Sequence, residues 1–176
     1  MSDNYELLHN PFSPGRSLEI PVGGYSFSDF GLTYALGPQR PLTGTVRLNT
    51  GGYFNGDITS VTLSRGRIDV TSVLSIEPSV SFNWIDLPNG SFRTDLARTR
   101  VNYTFSPRMF VSGLLQFNST NSTLATNVRL RWEYSPGSEL FLVYTEEQDT
   151  DPLRPNRYAE LRNRGFVIKF NRLFRF

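Results

Sequence analysis

Between residues 123 and 135 the chain changes polarity at almost every step. Leu124, Thr126, Val128, Leu130, Trp132 and Tyr134 fall on one side of this alternation; Ala125, Asn127, Arg129, Arg131, Glu133 and Ser135 fall on the other. A helix would scatter both sets around its circumference, whereas a strand separates them onto two faces. The same two-residue period recurs along the chain between Pro and Gly punctuation, and helical spacing is poor throughout. It predicts strands at 27–36, 42–53, 57–70, 75–87, 92–105, 109–119, 123–135, 139–148 and 164–176. Most exceed the ~5–6 residues usual in a globular sheet and match the ~9–11 that a tilted membrane strand needs. The fold expected is all-β: an antiparallel meander of about nine long strands, part of a transmembrane β-barrel and either an open curved sheet or a barrel fragment.

Composition agrees with this by exclusion. Apolar residues make up 38% of the 176 and charged residues 19%, which indicates neither disorder nor a helical membrane protein. No run approaches the ~20 apolar residues of a membrane helix. A negative mean hydropathy fits a barrel strand, which shows lipid only every second residue. Cysteine is absent and the only histidine, His9, has no partner histidine, so thiolate, disulfide, His-metal and triad chemistry are not indicated. A net charge of +2 argues against nucleic acid as a partner. No metal, no cofactor and no enzymatic activity is expected. The first residues lack a basic n-region and an apolar h-region.

The connections orient the strands. Ser106-Pro107-Arg108 and Pro136-Gly137-Ser138 are tight turns, with 37–41 and 71–74 short on the same side. The segment 149–163 is a long loop on the other side. Short inner turns and longer outer loops are the asymmetry of outer-membrane barrels. With a periplasmic C-terminus, nine strands place residues 1–26 outside, as an extracellular loop or irregular segment, with 27–176 as the closing portion of a larger barrel. Such barrels have even strand numbers, so at least one strand is expected before Met1. The phase change across Arg65-Gly66-Arg67 predicts a β-bulge, with glycine taking the left-handed conformation.

Three constellations follow. Phe166, Ile168, Phe170, Phe174 and Phe176, interrupted by Arg172, form a terminal aromatic strand of the kind barrel-assembly machinery recognises by edge pairing. Tyr103, Phe105, Trp132 and Tyr134, with Phe110, Phe141, Phe174 and Phe176, cluster near strand ends as an interfacial girdle does. Glu77, Arg98, Arg100, Asn127, Arg129, Arg131, Glu133 and Lys169 fall on polar faces that would line a lumen. The period demands one apolar and one wet side and leaves open which faces outward. In a soluble module binding a hydrophobic ligand, Phe82, Trp84, Val101, Tyr103 and Trp132 would point inward instead. Glu146, Glu147, Asp149 and Asp151 crowd into the long loop without EF-hand spacing.

Several blocks together carry a resemblance. Thr126-Asn127-Val128-Arg129-Leu130-Arg131-Trp132, Pro136-Gly137-Ser138-Glu139-Leu140-Phe141-Leu142-Val143-Tyr144, Phe105-Ser106-Pro107-Arg108, Gly90-Ser91-Phe92 and the ending Leu173-Phe174-Arg175-Phe176 resemble a family of bacterial outer-membrane proteins of the domain-of-unknown-function 5916 type. The resemblance runs from about Tyr5 to Phe176 and covers only the last part of such a protein. It implies location in the bacterial outer membrane, outer-membrane lipid and the assembly machinery as partners, and carbohydrate binding or uptake through an upstream family 9-like domain. Pore or membrane anchor is the function expected of the strands themselves.

Overall fold

The structure, a computed structural model, describes residues 2–15, 18–151 and 160–174. Its twelve strands are β1 (Ser2–Leu8), β2 (Phe12–Gly15), β3 (Leu18–Ile20), β4 (Gly23–Leu36), β5 (Leu42–Tyr53), β6 (Gly56–Asp69), β7 (Leu74–Leu87), β8 (Gly90–Ser106), β9 (Met109–Asn118), β10 (Thr123–Ser135), β11 (Ser138–Asp149) and β12 (Glu160–Asn171). Ten of them form one antiparallel sheet in the order β1-β4-β5-β6-β7-β8-β9-β10-β11-β12; β2 and β3 pair separately. The sheet is not closed into a barrel, and β1 and β12 are its two edges. From β4 onward every strand is a neighbour of the next in sequence. Chain order alone thus accounts for the topology, as expected when turns are short.

The nine expected strands are present as β4 to β12. Residues 1–26, read as a loop or irregular segment, are corrected: Ser2–Leu8 pairs with β4, from Ser2 against Asp29 to Leu8 against Gly23. Their polar, weakly alternating sequence hides a strand held by its neighbour. The tenth strand also removes the parity argument for a missing one, because β1 now begins towards the side on which β12 ends. The turn asymmetry is weaker than expected as well. Residues 54–55 and 88–89 form turns as tight as 107–108 and 136–137 on the opposite side. Most of the long loop, 152–159, lies outside the described residues.

The bulge is where the phase change put it, but its mechanics differ. Arg65 and Gly66 together face Gly44 alone on β5, and four residues of β6 face three of β7. Arg65, not glycine, takes the left-handed conformation (φ 53°). Gly66 is needed for space, since a Cβ there would collide with the carbonyl oxygen of Pro78. Pro78 lacks an N–H, which an interior strand tolerates only beside such an irregularity.

The C-terminal strand was expected to run to 176 and instead ends at Asn171. Past it the Leu173 N–H donates to Ser138 Oγ at 3.0 Å. The Leu173 side chain covers Gly137, whose φ of 75° sets the β10–β11 turn. The chain therefore leaves the sheet to cap a turn.

Candidate functional site: two unlike faces and one covered corner

Because directly opposed residues in a ladder share a face, the register carries each strand's alternation across the whole sheet. One row joins Tyr103 to Val111, Leu130, Leu142 and Ile168; another joins Val101 to Gly113, Val128, Tyr144 and Phe166. Val80, Phe82, Trp84, Leu63, Val61, Leu48 and Leu32 continue the same face to β4. This apolar face is open. Phe30, Leu32, Leu48, Trp84, Val101, Tyr103, Leu115, Val128, Trp132, Phe166, Ile168 and Phe170 are all exposed, Trp84 to 41% and Phe170 to 62%. Leaving such side chains half in water forgoes about 1 kcal/mol apiece. A dozen of them forgo on the order of 10 kcal/mol, as much as a whole domain's stability.

Aromatic residues mark one margin of this face. Tyr103 and Phe105 pack edge to face at 4.6 Å, Trp132 lies 6.1 Å from Tyr134, and Tyr134 stacks on Phe170 at 5.3 Å. The Tyr134 hydroxyl donates to the Asn171 carbonyl at 3.1 Å. Arg40 sits over the Tyr34 ring and donates to its hydroxyl at 3.1 Å. Four girdle residues, Tyr103, Phe105, Trp132 and Tyr134, thus share one margin. Phe110 and Phe141 do not: they lie on the opposite face, with Arg131 between them at 5.9 Å from each ring. Phe166, Ile168 and Phe170 share the apolar face of the edge strand β12. Phe174 stands beyond the strand, under the Arg172 guanidinium, and Phe176 lies outside the described residues.

The other face is polar. Glu77, Arg98, Arg100, Asn127, Arg129, Arg131, Glu133 and Lys169 all lie on it, as the alternation requires. Glu77 is its hub: Arg67 approaches to 3.7 Å and Arg100 to 4.0 Å, and Asn102 donates to it at 3.2 Å. Ser112 donates onward to Asn102 at 2.8 Å. Arg131 is bound by Glu139, a partner that strand alternation does not reveal because it belongs to the next strand. Leu96, Leu114, Val143 and Val167 interrupt the polarity.

The carboxylates assigned to the long loop are corrected to strand positions. Glu146, Glu147 and Asp149 belong to β11, and β12 supplies their partners: Arg164 to Glu146 at 2.8 Å, Arg162 to Asp149 at 2.8 Å and to Glu147 at 3.8 Å. Tyr144 and Gln148 also donate to Glu146. Three carboxylates held by two arginines are a clamp between strands.

One corner breaks the pattern, and sequence reasoning missed it. At the end of the sheet bearing 54–55 and 88–89, the polar face turns apolar: Ile58, Ile85, Leu87 and Phe92 replace the Ser, Thr and Asn of neighbouring rows. The β2–β3 hairpin lies over them. Ile20 is completely buried against Ile85 and Leu87, and Leu8, Leu18, Tyr25, Tyr53, Phe54, Ile58 and Phe92 pack around it. Phe54, at φ 54°, gathers the rings of Phe12, Tyr25, Phe27 and Tyr53 within 6.0 Å. Ile20, Ile85 and Leu87 are the only buried apolar side chains among the described residues. The signal was present in the sequence as the loss of polar alternation at Ile85 and Leu87. On the apolar face of the same end, a cleft of about 430 Å³ is lined by Asp57, Thr59, Trp84, Asp86, Ser91 and Arg93.

No family model, no curated protein and no solved structure matches this chain.

Proposed function

We propose that this chain is a wall segment of a bacterial outer-membrane barrel, with its apolar face against lipid and its polar face towards water, serving as pore or membrane anchor. The observation that carries the reading is the continuous exposed apolar face, running from Phe30 to Phe170 across the sheet. Exposed apolar area on that scale marks an interaction surface, and strands of 10 to 17 residues in the body of the sheet are long enough to cross the ~30 Å of hydrocarbon when tilted. The aromatic margin fits the headgroup level. In this reading closure comes from pairing at the β1 and β12 edges, and kinship with the outer-membrane family stands as part of the proposal, together with carbohydrate uptake through a domain joined upstream. The soluble, ligand-enclosing alternative draws no support from Trp84, Val101, Tyr103 and Trp132, which spread along an open face.

The test is site-directed labelling with single cysteines at Leu48, Val101 and Leu115 against Thr62, Ser79 and Gln116. A lipid-phase reagent should modify the first set in membranes and spare the second. A protein that is monomeric and freely soluble without detergent, with both sets labelled alike by an aqueous reagent, would overturn the reading.

A further inference from the structure

The polar face carries charges of both signs, and not all of them are paired. Several of its carboxylates are engaged by cations: Asp69 by Arg67 at 2.9 Å, Glu77 by Arg67 and Arg100, Glu139 by Arg131, and Glu147 and Asp149 by Arg162. Asp29 accepts from the Asn4 amide at 3.2 Å, and Glu6 lies on the same face at the β1 edge. Glu133 accepts from the Gly137 N–H at 3.1 Å. On the same face Arg47, Arg98, Arg129 and Lys169 are exposed and carry no ion pair among the described residues. Their register explains why. Arg98 faces Ser79 and Gln116, Arg129 faces Ser112 and Val143, and Lys169 faces Phe141. No carboxylate stands directly opposite any of them.

Spacing keeps these cations apart. Arg98 on β8 and Arg129 on β10 are two strands apart, and Arg98 is level with Ala125 through Gln116, four residues from Arg129. At ~4.8 Å per strand and ~3.4 Å per residue the two stand roughly 17 Å apart. The separation exceeds the Debye length of about 10 Å at 0.1 M salt, so each cation acts on its own surroundings. Neutral amides stand near them: Gln116 directly opposite Arg98, and Asn127 two residues from Arg129 on the same face. Guanidinium forks among amide and hydroxyl donors form hydrogen bonds to phosphate and carboxylate oxygens. On a face enclosed by low-dielectric walls, unpaired fixed cations raise the local concentration of anions.

We propose that the polar face is an anion-selecting surface, taking solutes that bear phosphate or carboxylate groups, with Arg98 and Arg129 as its principal determinants and Arg47 and Lys169 in support. That it acts on passing solutes rests on the pore reading above; that it binds anions does not.

The experiment therefore has two arms on the full chain. In planar bilayers under a potassium chloride gradient, the reversal potential should have the sign of chloride preference, and the Arg98→Glu/Arg129→Glu variant should move it towards potassium. In detergent at low salt, calorimetry with inorganic pyrophosphate should show binding that weakens at least 10-fold in Arg98→Gln/Arg129→Gln. Arg129→Lys should retain most of it, and Arg93→Gln, on the apolar face, should leave it unchanged. The strand circular-dichroism signal confirms that each variant is folded. Should the double variant lose it, Arg98→Gln and Arg129→Gln carry the test singly. Potassium preference in the wild type, or pyrophosphate binding equal in wild type and folded variants, overturns the proposal. Pyrophosphate binding lost as described, without conductance, supports the anion surface and overturns the pore.

Discussion

The corner under the β2–β3 hairpin and the β12 edge belong to one sheet and are built from similar residues, yet their fates are opposite. At the corner, Ile20 has no exposure and Ile85 retains 7%. At the edge, Phe166, Val167, Ile168 and Phe170 each keep about 60%. The difference is layers. A lone sheet covers side chains only through their neighbours within the face, and burial requires a second layer. Two strands, of four and three residues, supply that layer at the corner alone. Elsewhere the molecule holds together by ladder pairing and by ion pairs, most of them between partly exposed side chains and worth at most ~1 kcal/mol each, with Asp149, buried against Arg162, the exception.

The strongest way to break this contrast is to charge the corner. Ile20→Asp places an unpaired carboxylate where no water reaches and should cost about 4 kcal/mol. Hydrogen exchange should then accelerate in β2, β3 and around Ile85–Phe92 while β9 to β11 stay protected. Uniform acceleration would mean that the corner is not a separate unit.

Next in size is a pair of substitutions across the two faces. Leu115→Arg should weaken folding into lipid vesicles by ~2–4 kcal/mol, whereas Gln116→Arg, one residue on, should shift it by less than ~1 kcal/mol. Denaturant titration in the presence of vesicles measures both, and equal costs would erase the distinction between faces.

The bulge offers a smaller test. Gly66→Ala forces a methyl group onto the Pro78 carbonyl and should destabilise by roughly 1–3 kcal/mol. Gly113→Ala, which meets nothing within 4 Å, should be neutral or stabilising by up to about 1 kcal/mol. Thermal melts in detergent discriminate the two. Smallest of all, Glu77→Gln leaves Arg100 without its contact, and Arg67 retains Asp69; its effect on the melting midpoint should correspond to less than ~1 kcal/mol.

Much of this was legible in residue order. The nine long strands of the meander follow from the period of two and from turns such as Pro136-Gly137, and the register then places Glu77, Arg98, Arg129 and Lys169 on one face without further information. What was not legible involves partners distant in sequence or signals weaker than their context. Ser2–Leu8 reads as polar and irregular; it is a strand because the N–H and C=O groups of β4 pair with it. Phe110 and Phe141 looked like girdle residues from their place near strand ends, but their parity puts them beside Arg131. Glu146 and Glu147 fall within the strand expected at 139–148, but their pairing with Arg164 and Arg162 was not legible, because those partners come from the next strand in the ladder.

The sequence by itself determined that this protein is a sheet with one apolar and one polar face, because alternation is a local property that every strand carries within itself. Only the tertiary structure decided how those faces are used: that the apolar one stays open, that β2 and β3 bury a single corner, that Arg65 rather than a glycine turns left-handed, and that Asn171, not Phe176, ends the last strand. Each of these depends on what stands opposite a residue in the next strand or the next layer, and no local pattern encodes that.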